Sequence, residues 1–405
     1  MKPFNRRYRW VILGAATAAQ ASACFFVQGL GSIALEIKSE LNLSSWQIGA
    51  LVSAAQLIPL AGLLIAGELL DRYSERFVVG IGTLIVGFSL YAAMLANSYT
   101  ELLIALTVLG FGYSTAQPGG SKSVSQWFKG DQLGFAMGIR QAGLPLGGAM
   151  ATLLLPVIAS RYSIQAAFLA GSVIAMLGGV MFMLIYRTPE PPPLTAKKPI
   201  NLTLAVSSRI SMAKHPTMQK IMLSGASLTA CQYAISVFLV SYLHTSLGLE
   251  SATATMMFFV VLGAGIAGRV ILATWSDHCK AGRYFPVLTC LGSVAVLLMV
   301  LPFLKCQDLA IVSAFMALVG FFAYGWYGPW VAYIAEAAPA DRQGFALGMA
   351  MTANQVSVVV VPPIIGLSQD GLGTFTYGWI ALAIVSAIVL ITTGKGSHAA
   401  KPRIG

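Results

Sequence analysis

The chain contains long apolar runs that no charged residue interrupts. Phe77 to Leu95 and Tyr377 to Ile391 are two of them. An α-helix rises 1.5 Å per residue, so about 20 apolar residues cross the roughly 30 Å hydrocarbon core of a bilayer. Only 10% of the 405 residues are charged, whereas soluble domains carry about 25%. These runs therefore predict an all-α polytopic membrane protein.

We predict twelve membrane spans. Their approximate limits are Arg9–Ile33, Ser45–Leu70, Phe77–Leu95, Glu101–Ser125, Leu133–Ser160, Gln165–Tyr186, Met218–His244, Ser251–Thr274, Tyr284–Leu304, Leu309–Ala335, Phe345–Leu367 and Phe375–Thr393. One long polar stretch, rich in Pro and Lys, separates six spans from six and reads as a linker. We expect an N-terminal six-helix bundle at 1–186, a cytoplasmic linker at 187–216, a C-terminal six-helix bundle at 217–395 and a cytoplasmic tail at 396–405.

Lysines and arginines are spread unevenly over the predicted loops. With a cytoplasmic N-terminus, 21 of the 25 fall on the cytoplasmic side, whereas Lys38, Arg161 and Lys305 fall outside and Arg140 lies within a span. Cytoplasmic loops of membrane proteins carry such an excess of positive charge. We therefore expect both termini in the cytoplasm and a multi-pass protein of the cytoplasmic (inner) membrane, with the lipid bilayer as partner. Topology explains the net charge of +11, so no nucleic-acid partner is expected.

Two short segments occur twice. DQLGFAMG, which begins at Asp131, matches DRQGFALG, which begins 210 residues later at Asp341, at five of eight positions. GELLDRYSER around Asp71 has a weaker counterpart, ATWSDHCKAGR around Asp277, 206 residues later. Each pair is six predicted spans apart, which indicates two homologous halves of parallel topology.

These features resemble the major facilitator superfamily over essentially the whole chain. That family carries the motif G-x-x-x-D-R-x-G-R-R/K between spans two and three, and the matching positions here are Gly67, Asp71, Arg72 and Arg76. The sequence departs from the motif at Ser74 and Glu75, where Gly and a basic residue are usual. The resemblance implies twelve helices in two pseudo-symmetric six-helix bundles, alternating access, and pairing of Asp71 with the start of span eleven.

We assign a role in conformational gating to the motif residues and the repeated aspartates. They are Gly67, Asp71, Arg72, Arg76, Asp131, Asp277 and Asp341. An acid and a base at a helix end can pair across the halves in one state and separate in the other. An aspartate there can also cap free backbone N–H groups. The alternative for Arg72 and Arg76 is simple anchoring at the membrane surface.

Arg140 is the ionisable residue that lies deepest in a predicted span. It is about seven residues into span five, within GIRQAGLPLGG, so roughly 10 Å deep. Ionisable groups are costly inside a membrane, and a guanidinium suits a carboxylate or phosphate. We predict that Arg140 contacts an anionic substrate. The alternative is a structural arginine bonded to helix carbonyls or to a carboxylate such as Glu68 or Glu336.

Two further basic residues, Arg269 and Lys122, lie nearer the ends of their spans. We interpret both as snorkelling to the interface, which keeps the charge in water and the apolar stem in the membrane. The middles of spans three, five, six, seven, nine, eleven and twelve contain no Asp or Glu. A proton-coupled exporter of organic cations would need a buried carboxylate, so this absence favours an anionic substrate. It also leaves proton coupling without an obvious carrier.

Polar and aromatic residues mark the predicted cavity. The resemblance implies that spans one, four, seven and ten line it, and we add span eleven. With Arg140, the predicted substrate-binding residues are Gln20, Gln28, Tyr113, Gln117, Gln232, Tyr233, Trp326, Tyr327, Asn354 and Gln355. Amides and phenols orient a ligand, and aromatic rings wall it. Aromatics also form belts at membrane interfaces, which is the alternative for this group.

We therefore predict a secondary transporter that moves a small organic anion, such as a carboxylate, by alternating access, and leave proton symport open. The alternative is a proton-coupled multidrug or metabolite exporter in which Arg140 is structural. No catalytic signature, cofactor motif or metal-ligand spacing occurs, so we expect neither an enzyme nor a metal site. We expect a monomer.

Overall fold

The computed structural model describes residues 7–59, 62, 66, 69–70, 73–128, 133–188, 212–304, 308–337 and 343–394. These residues form helices and no strand. The α-helices are α1 (Tyr8–Gly29), α2 (Ala34–Glu40), α3 (Ser45–Leu57), α4 (Glu75–Met94), α5 (Tyr99–Trp127), α6 (Leu133–Arg161), α7 (Ile164–Ile185), α8 (Pro216–Leu247), α9 (Ser251–His278), α10 (Phe285–Val300), α11 (Leu309–Gly325), α12 (Tyr327–Ala337), α13 (Gln343–Leu372) and α14 (Thr376–Gly394).

The predicted helical membrane architecture is confirmed. Within the described part of the chain, ten helical segments are long and apolar enough to cross a membrane. Predicted span four is not among them, although α5 is 29 residues long, because its many glycines and polar residues lower its hydropathy. Predicted span two is described as α3 and a few residues beyond it. The predicted domain limits stay a prediction, because most of the linker lies outside the described residues.

The first span is longer than predicted and changes helix type near its end. A 3₁₀ turn at Leu30–Ile33 joins α1 to α2, so the helical segment reaches Glu40 rather than Ile33. A Cβ on Gly31 would collide with the carbonyl oxygen of Ser236 in α8. Only glycine lets the two backbones approach so closely, and this contact joins the two halves of the chain.

The tenth span is interrupted. Predicted as one segment, it forms α11 and α12 with Trp326 between them. Pro329 has no N–H to donate to the carbonyl of Gly325, so the helical ladder is broken at this point. The break places an aromatic cluster in the middle of the molecule. Pro118 and Pro145, by contrast, lie inside continuous helices α5 and α6.

Two pairs of helices make the most extensive contacts between the halves, in addition to the contact of the turn at Gly31 with α8. Within the N-terminal half α1 packs on α6 and α7, and α4 packs on α5 and α7; in the C-terminal half α9 packs on α11 and α10 on α14. Between the halves, α3 packs along α13 and α6 along α9. The substrate-site candidates lie between these two helix pairs.

Candidate substrate-binding site

A cavity of about 90 Å³ lies between the halves. Its wall combines six amide or hydroxyl side chains with three aromatic rings, one arginine and three apolar residues. These are Gln117, Gln141, Leu144, Thr229, Gln232, Tyr233, Arg269, Trp326, Tyr327, Met351, Asn354, Gln355 and Val358. Polar side chains outnumber apolar ones in this wall, so the cavity suits a small ligand with several hydrogen-bonding groups.

Seven of the eleven predicted substrate-binding residues lie in this wall. They are Gln117, Gln232, Tyr233, Trp326, Tyr327, Asn354 and Gln355. The other four, Arg140, Gln20, Gln28 and Tyr113, are buried but do not line the cavity. The structure thus brings together the polar residues of four helices and places the remaining ones behind them. Their role in binding a substrate stays a prediction.

Arg140 is fully buried, with 0% of its surface exposed. Its Nη1 donates to Ser121 Oγ at 2.8 Å, and its Nη2 donates to Gln20 Oε1 at 2.8 Å. Nη2 also reaches the backbone oxygens of Ala116 at 3.1 Å and Gln117 at 2.6 Å. The carbonyl-bonded arrangement is the one that the alternative prediction described. Direct contact of Arg140 with a substrate stays a prediction.

Gly120 makes room for this guanidinium. A Cβ at position 120 would lie 2.7 Å from Arg140 Nε and 2.9 Å from Nη2. Nε itself has no hydrogen-bond partner among the described residues. The lack of a side chain at 120 therefore lets the guanidinium lie flat against α5, directly behind the cavity wall.

Arg269 lies in the cavity wall and is only 8% exposed, so the snorkelling interpretation was wrong. Its Nε donates to the Tyr324 carbonyl at 3.2 Å and its Nη1 donates to the Gln141 carbonyl at 2.9 Å. The sequence estimate ended the span at Thr274, but α9 continues to His278. Arg269 is therefore about 14 Å from the helix end, too deep for its side chain to reach the interface.

The two arginines are linked through the cavity wall. Gln117 Nε2 donates to the Tyr327 hydroxyl at 3.2 Å across the halves, and the Gln117 carbonyl accepts from Arg140. The Arg269 guanidinium lies 5.7 Å from the centre of the Tyr327 ring, within the range of a cation–π contact. One continuous set of contacts thus joins both guanidiniums.

Gln117 and Tyr327 are 210 positions apart, the spacing of the duplicated turn. Residues related by a two-fold pseudo-symmetry can contact each other only close to the axis that relates them. The hydrogen bond between these two residues therefore lies near the pseudo-symmetry axis of the halves. Both residues line the cavity, so the cavity also lies near this axis.

The charged side chains described at and behind the cavity wall are positive. No Asp or Glu is among the described residues of this wall. Neither Arg140 nor Arg269 forms an ion pair with a carboxylate in the part of the chain that the structure describes. The partners of both guanidiniums are carbonyl, hydroxyl and amide oxygens, which carry no net charge. Two positive charges are therefore held in the middle of the molecule without a described counter-charge.

The side of the cavity formed by α13 is neutral. Gln355 Nε2 donates to the backbone oxygen of Gln56 at 2.7 Å and to its Oε1 at 2.9 Å, across the halves. Asn354 Oδ1 is buried and has no described partner. A Cβ on Gly225 would collide with this oxygen, so glycine there makes room for the amide. This side offers hydrogen bonds but no charge.

The aromatic cluster at the break in span ten is fixed by hydrogen bonds. Trp326 Nε1 donates to Gln232 Oε1 at 3.2 Å, and Trp330 Nε1 donates to the Ile221 carbonyl at 2.9 Å. The rings of Trp326, Tyr327 and Trp330 lie 5.4–5.9 Å apart, the spacing of favourable aromatic pairs. Because their partners are internal, these rings form a wall of fixed shape rather than an interfacial belt.

Of the predicted gating residues, only Arg76 and Asp277 are described; Gly67, Asp71, Arg72, Asp131 and Asp341 lie outside the described residues. The Arg76 guanidinium lies 5.7 Å from the Phe77 ring centre. Asp277 accepts from Arg283 at 2.7 Å within its own half. Their gating role stays a prediction.

Lys122 forms an ion pair within its own half rather than extending freely towards the interface. Its Nζ lies 3.0 Å from the buried Glu75 carboxylate and also donates to the Leu70 carbonyl. Gln126 donates to the same carboxylate at 2.8 Å. Glu75 is one of the two departures from the family motif, and an acid at this position provides the counter-charge for Lys122.

Comparison with known proteins agrees with this architecture. The family model described as Major Facilitator Superfamily matches residues 16–362. An uncharacterised MFS-type transporter of Mycobacterium tuberculosis is 27% identical, over 88% of this chain and 79% of the relative. The hexuronate transporter of Bacillus subtilis is 23% identical over 88% and 87%. The probable 4-methylmuconolactone transporter of Cupriavidus pinatubonensis is 26% identical over 92% and 90%.

The fold is also shared with a solved structure. A bacterial homolog of the human lysosomal transporter Spinster superposes with a TM-score of 0.74 at 16% identity, covering 98% of both chains. The match of the family model to most of the chain, the helical membrane fold and the central cavity lead to one conclusion. The chain belongs to the Major Facilitator Superfamily and is a multi-pass membrane transporter.

Proposed function

We propose that this protein is a secondary transporter that moves a small organic anion across the cytoplasmic membrane by alternating access. The observation that carries the proposal is the pair of buried arginines beside a cavity with no carboxylate among the described residues of its wall. A charge buried without a partner is strongly unfavourable. An anion in the cavity would supply the missing counter-charge, and a cation would be repelled.

Arg269 is the residue that we propose to contact the anion directly. It lies in the wall, and its Nε and Nη1 are held by the carbonyls of Tyr324 and Gln141. These bonds fix the plane of the guanidinium, and Nη2 has no hydrogen bond to a described residue. A guanidinium positioned in this way can bind a carboxylate at little entropic cost.

Arg140 has a different part in the proposal. Its guanidinium lies behind Gln117, whose carbonyl it holds at 2.6 Å. From there it adds positive potential to the cavity and stiffens the wall of α5. In a low-dielectric interior such a charge acts over several ångströms. The direct contact predicted from the sequence would require Gln117 to move aside.

Relatives agree with an acidic substrate. The B. subtilis relative is named for hexuronate and the C. pinatubonensis relative for 4-methylmuconolactone. We propose a carboxylate of comparable small size here, with amides and phenols of the wall binding its other polar groups. No carboxylate in the described wall could carry a proton. We therefore propose that any coupled proton travels on the carboxyl group of the substrate itself.

Ligand-induced thermal stabilisation tests the proposal. A ligand that binds only the folded protein raises its melting temperature by mass action. We would measure purified wild-type protein and the variants Arg269→Ala and Arg140→Ala against galacturonate, benzoate, a neutral sugar and tetraphenylphosphonium. Arg283→Ala serves as the matched control, because Arg283 is half-exposed and pairs with Asp277 and Glu336 away from the cavity.

We expect stabilisation of wild type and Arg283→Ala by at least one carboxylate and its loss in Arg269→Ala. Stabilisation by the lipophilic cation, unchanged in Arg269→Ala, would contradict the proposal and support an exporter in which both arginines are structural. A smaller but measurable loss in Arg140→Ala would agree with a charge behind the wall. Complete loss there would favour the direct contact predicted from the sequence.

A further inference from the structure

The first turn of α3 is capped by both halves of the protein. The N-terminal N–H groups of a helix have no partner within the helix. Ser44 and Gln47 form a capping box that satisfies two of them locally. The N–H groups of Ser45 and Trp46 donate instead to the two carboxylate oxygens of Asp370, at 2.9 and 2.8 Å. Asp370 lies on α13, in the other half of the chain.

The position of Asp370 on its own helix is unfavourable. It is two residues before the end of α13, where the free carbonyls give the helix a partial negative charge. An acid in the last turn is therefore repelled by its own helix. The beginning of α3 carries the opposite partial charge. The carboxylate thus stabilises the helix of the other half rather than its own.

The two backbones are also closest next to this contact. A Cβ on Gly366 would lie 2.5 Å from the carbonyl oxygen of Ser45, and one on Gly49 would lie 2.5 Å from the backbone of Pro362. Further along the same pair, Ser53 Oγ donates to the Val359 carbonyl at 2.6 Å. These backbone contacts require α3 and α13 to lie side by side. We therefore expect the backbone contacts and the Asp370 cap to form together and to break together.

The equivalent positions of the other helix pair carry no such cap. The repeat spacing of 210 relates Asp370 to Ser160, and the spacing of 206 relates Ser45 to Ser251, the first residue of α9. Ser160 donates to the Val157 carbonyl in its own half. The residue before α9, Glu250, makes no side-chain cap. The cap between the halves is therefore found on one of the two helix pairs.

We propose that Asp370 is a latch that holds the halves together at the end of the molecule where α3 begins and releases when that end opens. The proposal rests on the alternating access of the proposed function. Opening this end separates α3 from α13, which transfers two backbone N–H groups and the carboxylate to water. The charge topology of the sequence predicts that this end faces the outside.

Distances between spin labels test the latch without any substrate. Ser39 on α2 and Ser246 on α8 are exposed at this end of the two halves and would be replaced by labelled cysteines. Cys279 and Cys306 would be removed first, because the remaining cysteines, Cys24, Cys231 and Cys290, are buried. The variants are Asp370→Asn, which keeps one acceptor oxygen, and Asp370→Ala, which keeps none.

Asp308→Asn is the matched control, because Asp308 caps Ala310 within its own half at 2.9 Å. We expect the ratio of short to long distances to fall about fivefold in Asp370→Ala, the factor that corresponds to a cap of about 1 kcal/mol. The ratio in Asp370→Asn should lie between those of wild type and Asp370→Ala, and the ratio in Asp308→Asn should match wild type.

Unchanged distances in a folded Asp370→Ala protein would overturn the latch. If that variant fails to fold, Asp370→Asn decides the question in the same way. An equal shift in Asp308→Asn would also overturn it, because capping in general would then control the opening. The distance measurement uses no substrate, so its outcome is independent of the thermal stabilisation by anions. The latch can therefore be refuted while the anionic substrate is supported, and the anionic substrate can be refuted while the latch is supported.

Discussion

The two helix pairs that join the halves of this transporter use different chemistry. The backbones of α3 and α13 are in direct contact at Gly49 and Gly366. The same two helices are joined by hydrogen bonds of the neutral amides Gln355 and Gln56 and of the Asp370 carboxylate. Along α6 and α9 the pair carries both buried arginines, and Arg269 reaches the Gln141 carbonyl across the halves. One pair thus provides a close fit, and the other provides positive charge beside the cavity.

The proposed function gives the two pairs different tasks. A site for an anion needs charge that is held in place, and a carbonyl-bonded guanidinium provides it. A contact that forms and breaks during transport needs interactions whose partners can return to water, as a helix cap can. Duplication of the chain gave equivalent backbones, and different side chains at equivalent positions gave the two pairs separate tasks.

Loss of the charge on the α6/α9 pair should have the largest effect. Arg269→Gln keeps a polar side chain but removes the counter-charge for the substrate. Truncating one partner of a buried ionic contact costs about 2–5 kcal/mol, so we expect the affinity for a transported carboxylate to fall at least about 30-fold. Uptake of radiolabelled substrate into proteoliposomes measures this.

Arg269→Lys is the control for that experiment. It keeps the charge but loses the planar fork, so its affinity should lie between those of wild type and Arg269→Gln. Equal affinities in all three proteins would show that the charge of the α6/α9 pair does not serve the substrate.

Close packing of the α3/α13 pair should be the next most sensitive feature. Gly366→Ala places a Cβ 2.5 Å from a backbone oxygen, which cannot move aside as a flexible side chain can. We expect a loss of about 1–3 kcal/mol in the free energy of unfolding, measured by thermal unfolding in detergent.

Two glycines provide the comparison. Gly371 lies on the same helix and has nothing within 4 Å of a Cβ, so Gly371→Ala should be neutral. Gly148 lies on α6, where a Cβ would lie 3.0 Å from Gln28 Cβ in its own half and 3.4 Å from a Leu262 methyl of α9, both side-chain atoms rather than backbone. Gly148→Ala should therefore cost less than Gly366→Ala, and a larger cost would contradict the contrast between the pairs.

The neutral amide bridge should matter for stability more than for affinity. Gln355→Leu removes two hydrogen bonds to Gln56 and leaves acceptors without partners, which costs about 1–2 kcal/mol. Since the bridge carries no charge, we expect the carboxylate affinity to change less than about fivefold. Melting temperature and uptake measured on the same preparation separate the two effects. A loss of affinity as large as that of Arg269→Gln would show that both pairs bind the anion.

The smallest effect is expected on the axis between the pairs. Tyr327→Phe keeps the ring under Arg269 and removes only the hydroxyl that accepts from Gln117. One neutral hydrogen bond contributes about 0.5–1.5 kcal/mol, so the free energy of unfolding, measured by thermal unfolding in detergent, should fall by about that amount. Tyr333→Phe, which alters a tyrosine outside the cavity wall, should leave it unchanged.

Much of the cavity wall could be predicted because its signals are local in the sequence. Gln117, Gln232, Trp326 and Asn354 stand out as polar or aromatic residues within apolar spans. Polar side chains within a membrane span usually face the interior of the helix bundle or a cavity rather than lipid. The repeat spacing of 210, read from one turn, also relates the two residues whose hydrogen bond lies on the axis.

The parts that could not be predicted depend on where helices end and which helices meet. Arg269 was interpreted as snorkelling to the interface because the predicted span ended at Thr274. The helix α9 continues four residues further, to His278, which places Arg269 deeper than predicted. That Arg140 lies behind the cavity wall could not be predicted, because depth alone does not tell which side of a helix faces the cavity. Asp370 gave no signal, because an acid near a helix end reads as a solvated surface group.

The sequence by itself determined that this chain is a duplicated, all-helical membrane transporter, because hydrocarbon solvent constrains every span in the same way. Only the tertiary structure decided which arginine lies in the cavity wall and which lies behind it, and which acid joins the halves. Those assignments depend on contacts between residues as far apart as Ser45 and Asp370, and the distances between them are set by packing rather than by sequence spacing.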